Sequence, residues 1–523
     1  MQYKMLAGLF FWGTVGLPAG PEGEVAAMEP GTQVKVYQTS RAGDRLREMG
    51  IPAPVSEEGT GIRLAIDPGR TYQTLLGIGG SFTESGAQVL HELSERRRAE
   101  VLEACFSPEG AHYSMTRIHI ASCDFSVRNH TYAPVAGDLE LEHFSIEPDR
   151  TWLLPMIKAA QAVEGADFRI LASPWTAPPW MKDNQTWNGG KLLEEYYPLF
   201  ADYLIRYIKA YRAEDIPIWG ITPMNEPLGN GANWESTHFT PVEMRGFIKD
   251  HLGPAFQKAG LDTLIWIYDQ NRGEELKDWT ETILGDPESA RFVAGTAVHW
   301  YDSTIHSHTG ALDSVHRKFP DKQLIHSEGC IDAMGDDEPI GAWLEDDWYW
   351  RPEATDWGYL WAPGEDKERH PPYRPFHRYA RDLIEGLNHH FTAWIDWNLL
   401  LNTRGGPNHA RNYCLAPILV DSGRDLVHYT PLYYAIAHFS TFIRPGARRV
   451  HLDGANEEFL ATAFLNPDRS LVVVVFNPSE KDSRYSLHLS GRSLPVTIPI
   501  PPQALQTLRI PPHNRDRIGT GSP

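Results

Sequence analysis

The 523 residues carry 41% hydrophobic and 22% charged side chains, enough apolar material for one large domain with a smaller companion and too much for a disordered chain. Asp and Glu number 68 against 48 Lys and Arg, and the resulting formal charge of −20 repels phosphate backbones, so nucleic acid is excluded as a partner. A neutral or cationic partner suits this balance.

In chain order, Lys4 precedes an apolar run over residues 5–17, and small residues follow around Val25, Ala26 and Ala27. That layout predicts a secretory signal peptide over residues 1–27 and hence an exported product, extracellular or periplasmic. No later run reaches the roughly 18 uninterrupted apolar residues that a membrane-spanning helix needs. Strand-like pieces at 34–38 and 61–66 come next. Eight short β-branched or apolar runs then alternate with amphipathic stretches, at 74–79, 115–120, 169–172, 218–222, 264–268, 293–298, 323–326 and 392–395. Between the third and fourth, Tyr197, Leu199, Phe200, Tyr203, Leu204, Tyr207, Ile208 and Tyr211 recur at steps of three and four, the stripe of a helix packing on a core. Strands alternating with helices predict a parallel sheet, and eight such units predict an α/β fold, a (β/α)8 TIM barrel over 74–443. From Gly446 the pattern changes to short alternating strands, at 459–464 and 470–476. Because the segment 444–515 is thin for a domain, it is predicted to form one β-sandwich with residues 28–73, followed by a tail over 516–523.

In such a barrel, chemistry sits where strands end. Glu84, Asp124, Trp175, Glu226, Asp269, Tyr301, Glu328 and Trp397 all fall there. Glu226 stands in Met-Asn-Glu-Pro after the fourth run, and Pro227 stops the strand; Glu328 closes the seventh run in His-Ser-Glu-Gly. An acid at a strand end is ordinarily a solvated loop residue. Two acids on facing strands are what glycoside hydrolysis needs: one protonates the leaving oxygen and the other attacks, at a separation of about 5 to 5.5 Å in a retaining enzyme. Asn225, beside Glu226, can hold a sugar 2-hydroxyl, and Trp175 and Trp397 can wall a sugar site, although isolated tryptophans are more often core. Asp124 and Asp396 are candidates for binding hydroxyls, with helix-cap or turn roles as the plainer alternative.

His299, His306, His308 and His326 prompt a rival metal-dependent hydrolase, but no HExxH or paired-ligand spacing supports it, and neither metal nor cofactor is expected. Cys105, Cys123, Cys330 and Cys414 lie far apart and show no CxxC, which points to neither a disulfide scaffold nor a zinc site and leaves an isolated disulfide open. A non-catalytic carbohydrate-binding protein is the remaining alternative.

All the strand-end residues named above except Asp269 stand in seven motifs: Gly77-Ile-Gly-Gly-Ser-Phe-Thr-Glu-Ser, Arg117-Ile-His-Ile-Ala-Ser-Cys-Asp-Phe-Ser, Ala172-Ser-Pro-Trp-Thr-Ala-Pro-Pro-Trp-Met-Lys, Met224-Asn-Glu-Pro, Ala297-Val-His-Trp-Tyr, Ser327-Glu-Gly-Cys, and Asp396-Trp-Asn-Leu-Leu-Leu-Asn through Gly405-Gly-Pro-Asn. In that order the chain resembles glycoside hydrolase family 30 over nearly its whole length. The resemblance implies a barrel with a β-sandwich built from both termini, and net retention with Glu226 as acid/base and Glu328 as nucleophile. It also implies that Asp124, Trp175, Asn225 and Trp397 contact a glucose ring, that Tyr301 lies near the nucleophile, and that Asn412 borders the pocket. The implied partner is a β-glucoside. Glucosylceramide, which would add peripheral contact with a lipid surface, leads; β-1,6-gluco-oligosaccharides and β-xylosides are the alternatives within the family. Trp234, Phe239 and the Trp-rich stretch 343–361 are the candidate aglycone surfaces.

Overall fold

A computed structural model describes residues 34–50, 61–303, 306–332, 342–351, 374–489 and 492–512. The predicted signal peptide, the tail and part of the Trp-rich stretch fall outside the described residues. All eight predicted barrel strands are present and close into a parallel barrel: Gly77–Phe82, Met115–Ile120, Arg169–Pro174, Gly220–Ile221, Leu264–Asn271, Val293–His299, Gln323–Glu328 and Phe391–Asp396, the last pairing with the first. The first begins later than expected, because Thr74 ends the long strand Ile62–Thr74 of the second domain.

Strand alternation builds the barrel interior in layers. Met115, Leu171, Trp266, Ala297, Ile325, Ala393 and Ile395 form a small closed apolar cluster. Two residues on along four of these strands stand Arg117, Ser173, His299 and Ser327, all with no measurable exposure. The apolar layer is the floor on which a polar layer rests. Around the barrel, the helix Tyr197–Ala213 buries the predicted stripe, except that Leu199 stays partly exposed.

The second domain is a β-sandwich built from both chain ends. Nine strands hydrogen-bond in one continuous order that starts with the N-terminal pair and runs through the C-terminal strands; Lys35–Ser40 pairs along its whole length with Ala504–Ile510. The sheet wraps onto itself. Tyr485 and Gln506 belong to strands well separated in the pairing order, yet the Tyr485 hydroxyl donates to Gln506 Oε1 at 2.7 Å, and both ends of the order contribute to one core containing Val36, Val473, Tyr485 and Ile500.

The two domains are joined through His438, on the last barrel helix Pro431–Ser440. Its ring nitrogens lie 2.9 Å from Thr39 Oγ1 and 2.8 Å from Thr507 Oγ1, one partner on each terminal strand. A neutral imidazole can donate at one nitrogen and accept at the other, and burial lowers the His438 pKa to about 3. The unfolded chain takes up a proton below the ordinary histidine pKa of about 6.5, while the folded one refuses it, so this contribution is present near neutrality and is lost as pH falls toward 3. His438→Leu is expected to cost roughly 1–3 kcal/mol at pH 7 through two lost buried hydrogen bonds. Its deficit against the wild type should shrink at pH 5, as read by chemical denaturation at the two values.

Candidate active site

The polar layer converges on one buried carboxylate. Asp269 Oδ2 accepts from Arg117 Nη2 (2.8 Å), Ser173 Oγ (2.9 Å) and Thr222 Oγ1 (2.7 Å), while Oδ1 accepts from Ser327 Oγ (2.7 Å) and faces His299 Nε2 at 3.0 Å. Regular alternation would not aim Asp269 inward. A register shift between Tyr268 and Gln270, with Tyr268 at φ +78° and Asp269 at +49°, turns Tyr268 out against Trp279 and Asp269 into the barrel. Such bulges re-aim side chains beside functional sites. A second shift, between His326 and Glu328, lets Ser327 and Glu328 both reach the interior.

Arg117 distributes its donors over the site: Nη1 to Glu328 Oε2 (2.5 Å), Nη2 to Asn225 Oδ1 (2.7 Å) as well as to Asp269, and Nε to Ser173 Oγ (3.3 Å). Glu226, at φ +43°, is anchored by its backbone N–H on the Asp269 carbonyl at 2.9 Å. Its Oε1 faces His299 Nδ1 at 3.2 Å. Because both nitrogens of His299 meet carboxylate oxygens, only the imidazolium can donate to both. Burial alone would lower its pKa, but the charges of Glu328, Asp269 and Glu226 raise it to about 9. Asp269 moves the other way: burial opposes ionisation, yet Arg117 and His299 hold its carboxyl far below the usual range.

Glu226 and Glu328 share this cavity, with ligating oxygens within 4.8 Å of one another and of a His299 nitrogen. That set of atoms could in principle hold a metal ion, but the guanidinium and imidazolium already bring two cations to it. The other histidines singled out in the sequence lie elsewhere. His326, whose neighbours Ile325 and Ser327 face the interior, stacks on Trp394 in the layer outside the barrel wall (4.9 Å), and the rings of His306 and His308 are 6.3 Å apart in a loop.

The remaining predicted residues are arranged around the carboxyl pair. Trp175 and Trp397 stack at 5.2 Å, with the Arg117 guanidinium 4.8 and 5.6 Å from their rings. The Tyr301 hydroxyl donates to Glu328 Oε1 at 3.0 Å. Asp124 accepts from Asn412 Nδ2 at 2.8 Å on one oxygen, and its other oxygen is buried without a hydrogen-bond partner. Burial, then the Glu328 charge, pushes Asp124 up to about 8 against the Asn412 hydrogen bond. Asp396, by contrast, is fully buried in the barrel wall and accepts from Tyr379.

Two aglycone candidates are relocated. Phe239 is buried against Tyr197 and Phe247. Trp343, Trp348 and Trp350 belong to the main core, with Trp343 Nε1 donating to Thr403 O and Trp350 lying under Arg45 of the second domain. Apolar rings find more burial in that seam than at a solvent-filled pocket mouth. Trp234 stays partly exposed in the loop after Glu226.

The sequence places Asp269 at a strand end without a role, raises His299 only for a rival metal site, and assigns Arg117 nothing beyond its motif. The signal for Arg117 is a lone arginine in the middle of the predicted strand 115–120, and the structure buries all six residues of that strand.

Models of the glycosyl hydrolase family 30 TIM-barrel domain and β-sandwich domain match residues 75–346 with 365–443, and 446–508, respectively. Lysosomal acid glucosylceramidase of Mus musculus is 34% identical over 457 residues, covering 85% of this chain and 83% of that protein. Among solved structures, SrfJ from Salmonella typhimurium is 28% identical with a TM-score of 0.79, covering 92% of this chain and 100% of its own. An endo-β1,6-glucanase is 25% identical with a TM-score of 0.76, covering 92% and 99%.

Burial is the largest influence on Glu328 and favours its neutral form; the His299 and Arg117 charges oppose it, Glu226 and Asp269 reinforce it, and the carboxyl ends above its ordinary range. A reaction that needs Glu328 ionised is lost as pH falls through that raised value. Tyr301→Phe removes a hydrogen bond to the ionised form. At about 1.5 kcal/mol or more for such a bond, the acid limb of the kcat/KM profile should move up by about one pH unit, measured on a chromogenic β-glucoside.

Proposed function

The chain belongs to glycoside hydrolase family 30, and from that premise we propose that it is a retaining β-glucosidase with Glu226 as acid/base and Glu328 as nucleophile. The observation that carries this reading is the carboxyl pair within 4.8 Å, close to the spacing of about 5 to 5.5 Å for retention and short of the 6.5 Å or more that inversion needs to admit a water. The division of roles follows from the surroundings. Glu328 takes hydrogen bonds from Arg117 and Tyr301, which favour a carboxylate ready to attack. Glu226 has the more exposed side chain of the two, as a group that exchanges protons with the leaving group and water requires.

In the first step, Glu328 attacks the anomeric carbon while Glu226 gives its proton to the departing glycosidic oxygen. In the second, Glu226 removes a proton from water, which displaces Glu328 and releases the sugar. Asn225, its Oδ1 engaged by Arg117, presents its Nδ2 to the sugar 2-hydroxyl. The unpartnered oxygen of Asp124 accepts from another ring hydroxyl, Trp175 and Trp397 form the wall on which the ring lies, and Tyr301 and Asn412 keep Glu328 and Asp124 in place.

Glucosylceramide is the leading substrate, on the strength of the 34% identity to a glucosylceramidase over most of both chains. One observation favours β-1,6-gluco-oligosaccharides as a second reading. Of the aromatic residues expected to receive a lipid, Phe239, Trp343, Trp348 and Trp350 are buried and Trp234 is only partly exposed, while the loop tip beyond Glu226 presents Asn230, Gly231, Ala232 and Asn233. The apolar run at 5–17 supports an exported or lumenal protein.

Glu328→Gln is expected to lose at least a thousandfold in kcat on every substrate. Glu226→Ala should lose far less in the glycosylation step with dinitrophenyl glucoside than with an alkyl glucoside. Equal losses on both substrates would overturn the assignment of Glu226 as acid/base. Product release from glucosylceramide in detergent, set beside a β-1,6-linked gluco-oligosaccharide, separates the two substrates.

A further inference from the structure

Just outside the catalytic network, two sulfurs meet. Cys330 lies two residues beyond Glu328, and Cys414 two residues beyond Asn412. The short strand Ile331–Asp332 pairs antiparallel with Cys414–Leu415, and this brings residues 84 positions apart in sequence to an Sγ–Sγ distance of 2.9 Å in a buried setting. The other two cysteines, Cys105 and Cys123, are also buried, and burial raises both thiols, Cys105 to about 12. The pair is wired to the site. Cys330 Sγ is 3.4 Å from the Tyr301 hydroxyl, which itself donates to Glu328, and the Cys330 carbonyl accepts from Trp300 Nε1 at 3.0 Å.

We propose that Cys330 and Cys414 are a dithiol–disulfide pair that, when oxidised, ties the segment following the nucleophile strand to the loop that carries Asn412 to Asp124. The oxidant is a small-molecule disulfide. One protein thiolate attacks it and expels one small thiol; the second then displaces the other small thiol from the mixed disulfide. Two electrons pass to the small disulfide, and the two protons leave on its thiols. Such a bond closes a long loop of chain, where a cross-link most restricts the unfolded state, and it fixes the sulfur against which Tyr301 rests. The bond forms in an oxidising compartment and opens in a reducing one.

Thiol counting on the purified full chain tests this without reference to any substrate. After incubation with oxidised glutathione, denaturation and maleimide labelling, mass spectrometry should find two labelled cysteines rather than four. Digestion should yield one peptide pair joining Cys330 to Cys414, which a phosphine separates. Four labels, or a bridge involving Cys105 or Cys123, overturns the proposal. Reductant should also lower the Tm of the oxidised wild type by several degrees and leave Cys414→Ala unmoved; an equal shift in both proteins is the second overturning result.

Discussion

The site depends on one buried guanidinium. Arg117 comes from the middle of the second barrel strand and has no measurable exposure, yet it reaches Glu328, Asn225, Asp269 and Ser173 and lies against the faces of Trp175 and Trp397. Burying a cation is costly unless its partners are placed to compensate. The planar fork of arginine, with five donors in fixed directions, does this where a lysine ammonium would not. Losing one member of a buried ion pair typically costs about 3–5 kcal/mol because the other is left uncompensated. Here the stranded partners would be Asp269 and Glu328, already close to Glu226.

Charge balance connects this network to catalysis. Three carboxyl groups, Glu226, Glu328 and Asp269, share the cavity with two cations, Arg117 and His299. In the proposed mechanism the cavity gains negative charge when Glu226 gives up its proton, at the moment the sugar ring develops positive charge. An electrostatic response organised in advance needs no rearrangement of the protein during the reaction. The hydroxyls of Ser173, Thr222 and Ser327 complete the shell of Asp269, so the anion that orients both cations is itself held rigidly.

Around this core the strand-end loops are fastened to one another. Buried Glu235 accepts from Asn129 at 2.7 Å and faces His409 at 3.2 Å, joining the loops after the second, fourth and eighth strands. The Lys182 ammonium donates to Thr176 Oγ1, Ser236 O and Trp187 O, fixing the loop after the third strand to the one after the fourth, and burial lowers its pKa to about 7. Glu226 stands in the same fourth-strand loop, in a left-handed conformation that costs energy for a side chain with a Cβ. The surrounding fastenings hold it there.

Much of this was legible in the chain. Runs such as 115–120 and 293–298 had to be buried strands, since their apolar residues have no other low-energy place, and the positions of Glu226, Glu328, Trp175 and Trp397 at strand ends followed from where those runs stop. The stripe from Tyr197 to Tyr211 likewise identified the face of its helix. What periodicity cannot report is which atoms of different strands meet across the barrel. The bulge that turns Asp269 inward, the convergence of Arg117 and His299 upon it, the meeting of Cys330 with Cys414, and the burial of Phe239 and Trp343 away from the pocket all depend on contacts between segments distant in sequence. The sequence by itself determined the elements and their faces, because local burial and backbone preference act over a few residues. Tertiary packing decided the site's charge network, because the cost of a buried charge is set by partners that only the closed barrel brings within hydrogen-bonding distance.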